Sequence, residues 1–175
     1  MQWDQKFGWA GVISIAIFVA GYFVRWAIDW AAEERQKRKF FIALFTEIKL
    51  NTEALREDAS IMPKPVDMNP FLRADPKNRP HMVSLYITDI YKSNLQMLPL
   101  LPDVLIKRLI SFYGDLDFIN AVVKSFDNTS FEIISQAGRE QAYLALCEEL
   151  DAAADRGNAL LDQIKLQLKI PELTS

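Results

Sequence analysis

The 175-residue sequence has one cysteine, one histidine and six glycines, and this shortage excludes several kinds of functional site. The lone Cys147 rules out an intramolecular disulfide and a Cys-x-x-Cys metal or redox motif. His81 has no glutamate three residues before it, so the Glu-x-x-His pairs of helical di-iron proteins are missing. The glycines form neither a phosphate-binding loop nor the Gly-x-Ser-x-Gly pattern of a nucleophilic serine. We therefore expect a non-enzymatic protein with no catalytic residue, no metal site and no cofactor.

Charge is divided unevenly along the chain. Residues 1–39 contain six basic and four acidic side chains, a net of +2, whereas the remainder contains 14 basic and 19 acidic, a net of −5. Phosphate binding requires a basic surface, so the acidic remainder indicates that nucleic acid is not a partner. The carboxylates near residues 148–162 are interpreted as a solvated helix face. No small-molecule substrate is indicated.

A long uncharged run stands near the N-terminus. Residues Gly8 to Val24 carry no charge, and at about 1.5 Å per residue they cover roughly 25 Å, enough for a short bilayer crossing. All four tryptophans lie within the first thirty residues, as in aromatic belts at a membrane surface. A cleaved signal peptide would need a basic start and a small-residue cleavage site, which are missing. Residues 1–32 are therefore predicted to form a single transmembrane signal anchor with its flanks.

The charges on either side of the uncharged run predict its orientation. Only Lys6 precedes it, whereas five basic residues follow it: Arg25, Arg35, Lys37, Arg38 and Lys39. Basic residues flanking a membrane segment favour the cytoplasmic side. The sequence thus predicts a single-pass protein of the inner (plasma) membrane, with residues 33–175 as a cytoplasmic helical-bundle domain.

Helical patterns cover most of the remaining chain. No proline interrupts residues 1–62, so the anchor helix is predicted to continue to about Asp58. Residues 60–82 hold five of the eight prolines and are predicted to be an irregular connection without a sustained helix. A further helix is expected over residues 83–98, with Ser84 as its N-cap.

The clearest helix has an apolar heptad seam of the coiled-coil kind. Its members are Leu105, Leu109, Phe112, Leu116, Ile119, Val123 and Phe126. Thr129 and Glu132 then form a capping-box pattern that predicts the start of a last helix, running from about Ser130 to Leu168. The sequence predicts an all-α fold: one N-terminal transmembrane helix continuing into an antiparallel bundle of about four helices.

Two groups of residues stand out as candidate sites. Asn51 and Asn94 each interrupt an apolar row, and with Tyr91 they are predicted to form a buried polar network that fixes helix register. Met68, Phe71 and Leu72 are apolar residues within the proline-rich connection. Because a plain linker would not need such side chains, they are the predicted contact surface for a partner.

The layout of the chain also allows a limited comparison. An anchor followed by Glu47-Ile48-x-x-Asn51, then Tyr91-x-x-Asn94-Leu95 and an aromatic pair, is similar to small membrane-anchored bacterial proteins. This likeness implies no activity.

The function expected from the exclusions is a membrane-anchored interaction module, a scaffold or accessory subunit of a membrane-associated complex. Its partners would be the lipid bilayer and another protein or a second copy of the chain. Two alternatives stay open. One is a small phage- or defence-type membrane protein that acts through its transmembrane helix. The other is an enzyme of unrecognised type, which would need a polar pocket where groups such as His81, Asp89 and Tyr91 converge.

Overall fold

The computed structural model describes residues 3–82 and 86–168, with side chains described from residue 11 to residue 167 within those ranges. This part of the chain is all-α and contains no strand, as predicted. The elements in chain order are α1 (Trp3–Ile61), α2 (Pro65–Ala74), α3 (Asp89–Ser93), a 3₁₀ helix (Leu95–Leu100), α4 (Asp103–Phe126), α5 (Ser130–Ile133) and α6 (Gln136–Leu168).

The chain divides into two compact units, Met1–Lys39 and Phe40–Ser175. In the first unit, every described side chain from Gly11 to Trp30 is exposed. By length and composition, α1 is the one helix among the described residues that is apolar enough to cross a membrane. This finding confirms the long apolar N-terminal helix. The core helix of a soluble protein or a signal sequence can satisfy the same criterion, so membrane insertion and orientation stay predictions.

The second unit has a core formed by three long helical segments. From α1 the core takes Leu44, Ile48 and Leu55, and from α6 it takes residues such as Leu150. The entire predicted seam of α4, from Leu105 to Phe126, is buried. The heptad spacing therefore located the face of α4 on which the fold is built, because apolar residues three and four apart share one side of a helix.

The proline-rich connection differs from its prediction, since residues 65–74 form α2. Pro65 lies in the first turn, where a missing N–H group leaves no intrahelical bond unmade. Pro70 lies inside the helix, and tertiary contacts offset its cost. The buried Leu72 packs in the core, and Arg73 makes two hydrogen bonds to Glu140 of α6, at 2.8 and 3.0 Å. The expectation of an irregular segment was therefore wrong at these ten positions.

The predicted helix over residues 83–98 is also corrected. Ser84, its expected N-cap, lies outside the described residues. The chain at Tyr86–Ile87 is not helical, α3 is five residues long, and a 3₁₀ helix follows it. Pro99 lies within the 3₁₀ helix, where it cannot supply the N–H group that a continuing α-helix would use.

The capping box predicted at Thr129 does not form. Thr129 has helical backbone angles, and its side chain makes no capping bond. Asn128 takes the capping role, because its Oδ1 accepts a hydrogen bond from the Ser130 N–H group at 3.1 Å. The Glu132 carboxylate pairs instead with Arg79. The last helix is also split, since α5 ends at Ile133 and α6 begins at Gln136.

Candidate functional site

A line of three buried polar side chains runs along the C-terminal half of α1. Glu47, Asn51 and Asp58 are four and seven residues apart, a spacing that places them on one helix face. We call this set the α1 polar stripe. Its three members all bind residues of the segment 86–91, so that one helix face fixes the position of a short segment distant in sequence.

Asn51 binds the main chain of Ile87 in both directions. Its Nδ2 donates to the Ile87 carbonyl oxygen at 2.6 Å, and its Oδ1 accepts from the Ile87 N–H group at 2.9 Å. The side-chain amide thereby satisfies both main-chain groups of a residue that lies outside any helix. Asn51 is buried, as required of a member of the predicted polar network, but its partner is main chain.

Glu47 is the most heavily bonded side chain of the α1 polar stripe. Its carboxylate accepts from the N–H groups of Ile90 and Tyr91, at 2.7 and 3.1 Å, and from the hydroxyl of Tyr113 at 2.6 Å. Three donors compensate for the loss of water around a buried carboxylate. Burial, followed by the bond to Glu47, raises the pKa of Tyr113, so this hydroxyl keeps its proton and remains a donor.

The aromatic and polar neighbours of Glu47 complete the arrangement. The ring of Tyr91 stacks on that of Tyr113, with centroids 3.9 Å apart and planes within 4°. Asn94 does not join the α1 polar stripe, because its Nδ2 donates to the carbonyl oxygen of Ile90 at 2.8 Å within its own segment. Of the three residues predicted for one network, Asn51 binds segment 86–91 and Tyr91 is the last residue of that segment, whereas Asn94 makes a local bond.

Asp58 ends the stripe and borders a cavity. Its carboxylate accepts from the Tyr86 hydroxyl at 2.7 Å, and burial raises the pKa of Tyr86. The cavity beside it has a volume of about 220 Å³. The side chains that matter to its chemistry are Asp58, Met62, Met68, His81, Met82 and Tyr143.

The residues predicted for partner contact have different environments. Phe71 is 47% exposed, and Met68 is partly buried and lines the cavity. Leu72 is fully buried, so its side chain contacts the core and is not available at the surface. This differs from the expectation, because α2 directs Leu72 inward while the neighbouring Phe71 faces outward.

The residues considered for an enzyme do not converge. His81 lines the cavity, whereas Tyr91 stacks on Tyr113 and Asp89 lies exposed in the first turn of α3. Within the described ranges, histidine, cysteine and carboxylate side chains form no group of three suited to a metal ion.

The sequence reasoning missed Glu47 and Asp58 as buried groups, because charged residues usually face water. The available signal was their spacing relative to Asn51, since three polar residues on one face beside an apolar stripe indicate a polar contact with another segment.

Comparison with known proteins found no matching family model, no matching curated protein and no matching solved structure.

Proposed function

We propose that the protein is a membrane-anchored, non-enzymatic interaction module, serving as a scaffold or accessory subunit of a membrane-associated complex. In this proposal the N-terminal part of α1, within residues 1–32, crosses the inner (plasma) membrane once, and residues 33–175 lie in the cytoplasm as an antiparallel bundle of about four helices. The uncharged run in α1, exposed from Gly11 onward, supports the anchor. The basic residues that follow the run support the orientation.

The observation that carries the proposal is the contrast between buried polar and exposed apolar groups in the second unit. Glu47 and Asn51 use their acceptor oxygens in bonds that hold segment 86–91, and such groups serve structure. In contrast, α2 exposes apolar side chains: Val66 is 71% exposed and Phe71 is 47% exposed. Binding energy at protein interfaces comes from a few such anchors, with aromatic residues enriched among them.

The test compares two exposed apolar residues in the full-length protein. Phe71→Ser removes the proposed anchor on α2, and Ile133→Ser is the matched control, because Ile133 is 85% exposed on α5. Partner recovery after affinity purification in mild detergent should fall for Phe71→Ser and remain at the wild-type level for Ile133→Ser. Equal recovery from both variants, with unchanged helical circular dichroism, would contradict a contact surface on α2.

An anchor exchange separates this proposal from action within the bilayer. Replacing residues 1–32 by an unrelated single transmembrane helix of the same orientation keeps the protein tethered to the membrane. The exchange removes the side chains that the native helix presents within the bilayer. A scaffold keeps its partner after the exchange, since its contacts lie in the second unit. Loss of the partner together with the native anchor would favour the phage- or defence-type alternative, in which the transmembrane helix itself is the active element.

A further inference from the structure

Sulfur-bearing side chains are concentrated at one place in the second unit. Residues 40–175 contain five of them: Met62, Met68, Met82, Met97 and Cys147. Three of these, all methionines, line the cavity beside Asp58, which we call the methionine cavity. A second cavity, lined by Cys147, shares Met62 and Pro63 with it. Four of the five sulfur side chains therefore surround one region of the fold.

The three methionines reach the methionine cavity from separate parts of the chain. Met62 directly follows the end of α1, Met68 lies on α2, and Met82 follows His81 in the segment after α2. All three are partly buried and packed against the core. Convergence of one residue type from three segments is not produced by local sequence, so it needs a cause in packing or in binding.

The donor chemistry of this cavity is soft. A thioether is uncharged and polarizable, and it selects ions such as Cu(I), whereas Mg²⁺ and Ca²⁺ require oxygen ligands. His81 lines the same cavity and is exposed, so its imidazole is available from the solvent side. The carboxylate of Asp58 accepts a hydrogen bond from Tyr86 and belongs to the α1 polar stripe. The cavity therefore offers three thioethers and one imidazole nitrogen, beside the Asp58 carboxylate, which is bonded to Tyr86, and the Tyr143 hydroxyl, which donates to the Pro63 carbonyl oxygen.

We propose that the methionine cavity binds a soft monovalent metal ion, Cu(I) or Ag(I), through the three thioethers with the His81 imidazole as a fourth ligand. The space is sufficient, because about 220 Å³ is far more than the roughly 10–15 Å³ that a cavity needs to hold one water molecule. Three rotatable bonds allow each methionine to turn its sulfur inward as the ion enters. The site shares α2 with the proposed interaction surface, through Met68, but does not include Phe71.

The competing explanation is that the methionines only fill space. Substitution of the methionines by leucine distinguishes the two explanations. A Met→Leu exchange preserves the apolar volume with little loss of stability, and it removes the sulfur atom. The full-length protein in mild detergent is titrated against Cu(I) supplied as its coloured bicinchoninate complex under reducing conditions. Withdrawal of one Cu(I) per chain is expected for the wild type. The combined variant M62L/M68L/M82L should bind Cu(I) less than about one tenth as tightly.

Two single variants serve as controls. Met97→Leu removes the one methionine of the second unit that lies outside the methionine cavity, and it should bind as the wild type does. Cys147→Ser removes the only thiol, and it should also bind normally, because Cys147 lines the second cavity and not the methionine cavity. Loss of binding in Cys147→Ser with retention in the triple variant would overturn the proposal.

X-ray absorption at the copper edge gives a second, independent measurement. Cu(I) bound to the wild type should show sulfur as its main neighbours, with a nitrogen contribution that disappears in His81→Ala. A spectrum of nitrogen and oxygen neighbours alone, or a failure of the wild type to compete for Cu(I), would show that the methionines are packing residues.

Discussion

Replacement of Gly157 by alanine is expected to destabilise the second unit, although alanine is the better helix former. Gly157 lies in α6, where a Cβ atom would meet the ring of Phe112 at 2.9 Å and the hydroxyl of Thr52 at a still shorter distance. Both neighbours are buried, and the Thr52 hydroxyl already donates to the carbonyl oxygen of Ile48 at 2.7 Å. The glycine therefore allows α6 to approach α1 and α4 more closely than any other residue would.

A second glycine provides the control that sets the magnitude. Gly114 lies in α4, and a Cβ atom added to it would have no neighbouring atom within 4 Å. In a helix interior, Gly→Ala gains about 1 kcal/mol of unfolding free energy from the backbone alone. Overpacking of a filled core costs about 1–3 kcal/mol, occasionally more. Because an added Cβ atom at Gly157 would clash with both Thr52 and Phe112, the upper part of that range, about 2–3 kcal/mol, applies there. Gly114→Ala should therefore stabilise the protein, whereas Gly157→Ala should destabilise it by about 1–2 kcal/mol.

The difference between the two variants is the quantity to measure. The backbone contribution is common to both, so subtraction leaves the cost of the contact with Thr52 and Phe112, about 2–3 kcal/mol. Thermal unfolding of the full-length protein in detergent, followed by helical circular dichroism, should show the two midpoints moving in opposite directions. Addition of Thr52→Ala to Gly157→Ala should restore part of the loss. Equal stabilisation by both alanines would refute the close approach of α6.

Three further predictions concern topology and charge. A reporter fused after Ser175 should be active in the cytoplasm, and strong periplasmic phosphatase activity from such a fusion would reverse the orientation. Hydrogen bonds from Arg73 and then Gln136 lower the pKa of Glu140 from 4.5 to about 2. Because the folded-state pKa is depressed, the stabilisation is present above pH 4.5 and is lost as the pH falls towards 2. Arg73→Ala should flatten the pH dependence of the melting temperature in that range, and an unchanged profile would argue against the pair. Glu47→Gln replaces one acceptor oxygen by an NH₂ group facing N–H donors, so unfolding free energy should fall by about 1–3 kcal/mol in chemical denaturation; a neutral result would contradict the buried carboxylate.

The parts of the fold that could be predicted are those encoded by a repeated local pattern. The seam of α4 was identified because apolar residues recur every three and four positions over its whole length. The apolar N-terminal helix was identified because no charge interrupts residues 8–24. In both cases one physical requirement, burial of a face or the absence of charge, acts on many residues at once, so single exceptions do not obscure it.

The elements that were missed depend on tertiary contacts. Residues 65–74 contain two prolines, a composition that predicts a loop, yet they form α2. Leu72 in the core and the pair between Arg73 and Glu140 provide the stabilisation. The main chain at the end of α2 is also bound, because the buried Arg139 donates to the carbonyl oxygen of Leu72 at 3.1 Å. These partners are 67 residues apart in sequence, a separation at which a single sequence gives no indication of contact.

Asn51 and Asn94 show why the polar site could be predicted only in part. Both interrupt apolar rows and have the same donors and acceptors, yet Asn51 binds a distant main-chain segment and Asn94 bonds to Ile90, four residues earlier. The difference lies in what faces each side chain. An unpaired stretch of main chain lies opposite Asn51, and its N–H and C=O groups need partners once they are buried. Main-chain groups are the same at every residue, so the sequence of segment 86–91 contains no signal that α1 must supply a carboxylate and an amide. Glu47 is buried for this reason: the N–H groups of the first turn of α3 have no intrahelical partner, and its carboxylate satisfies two of them.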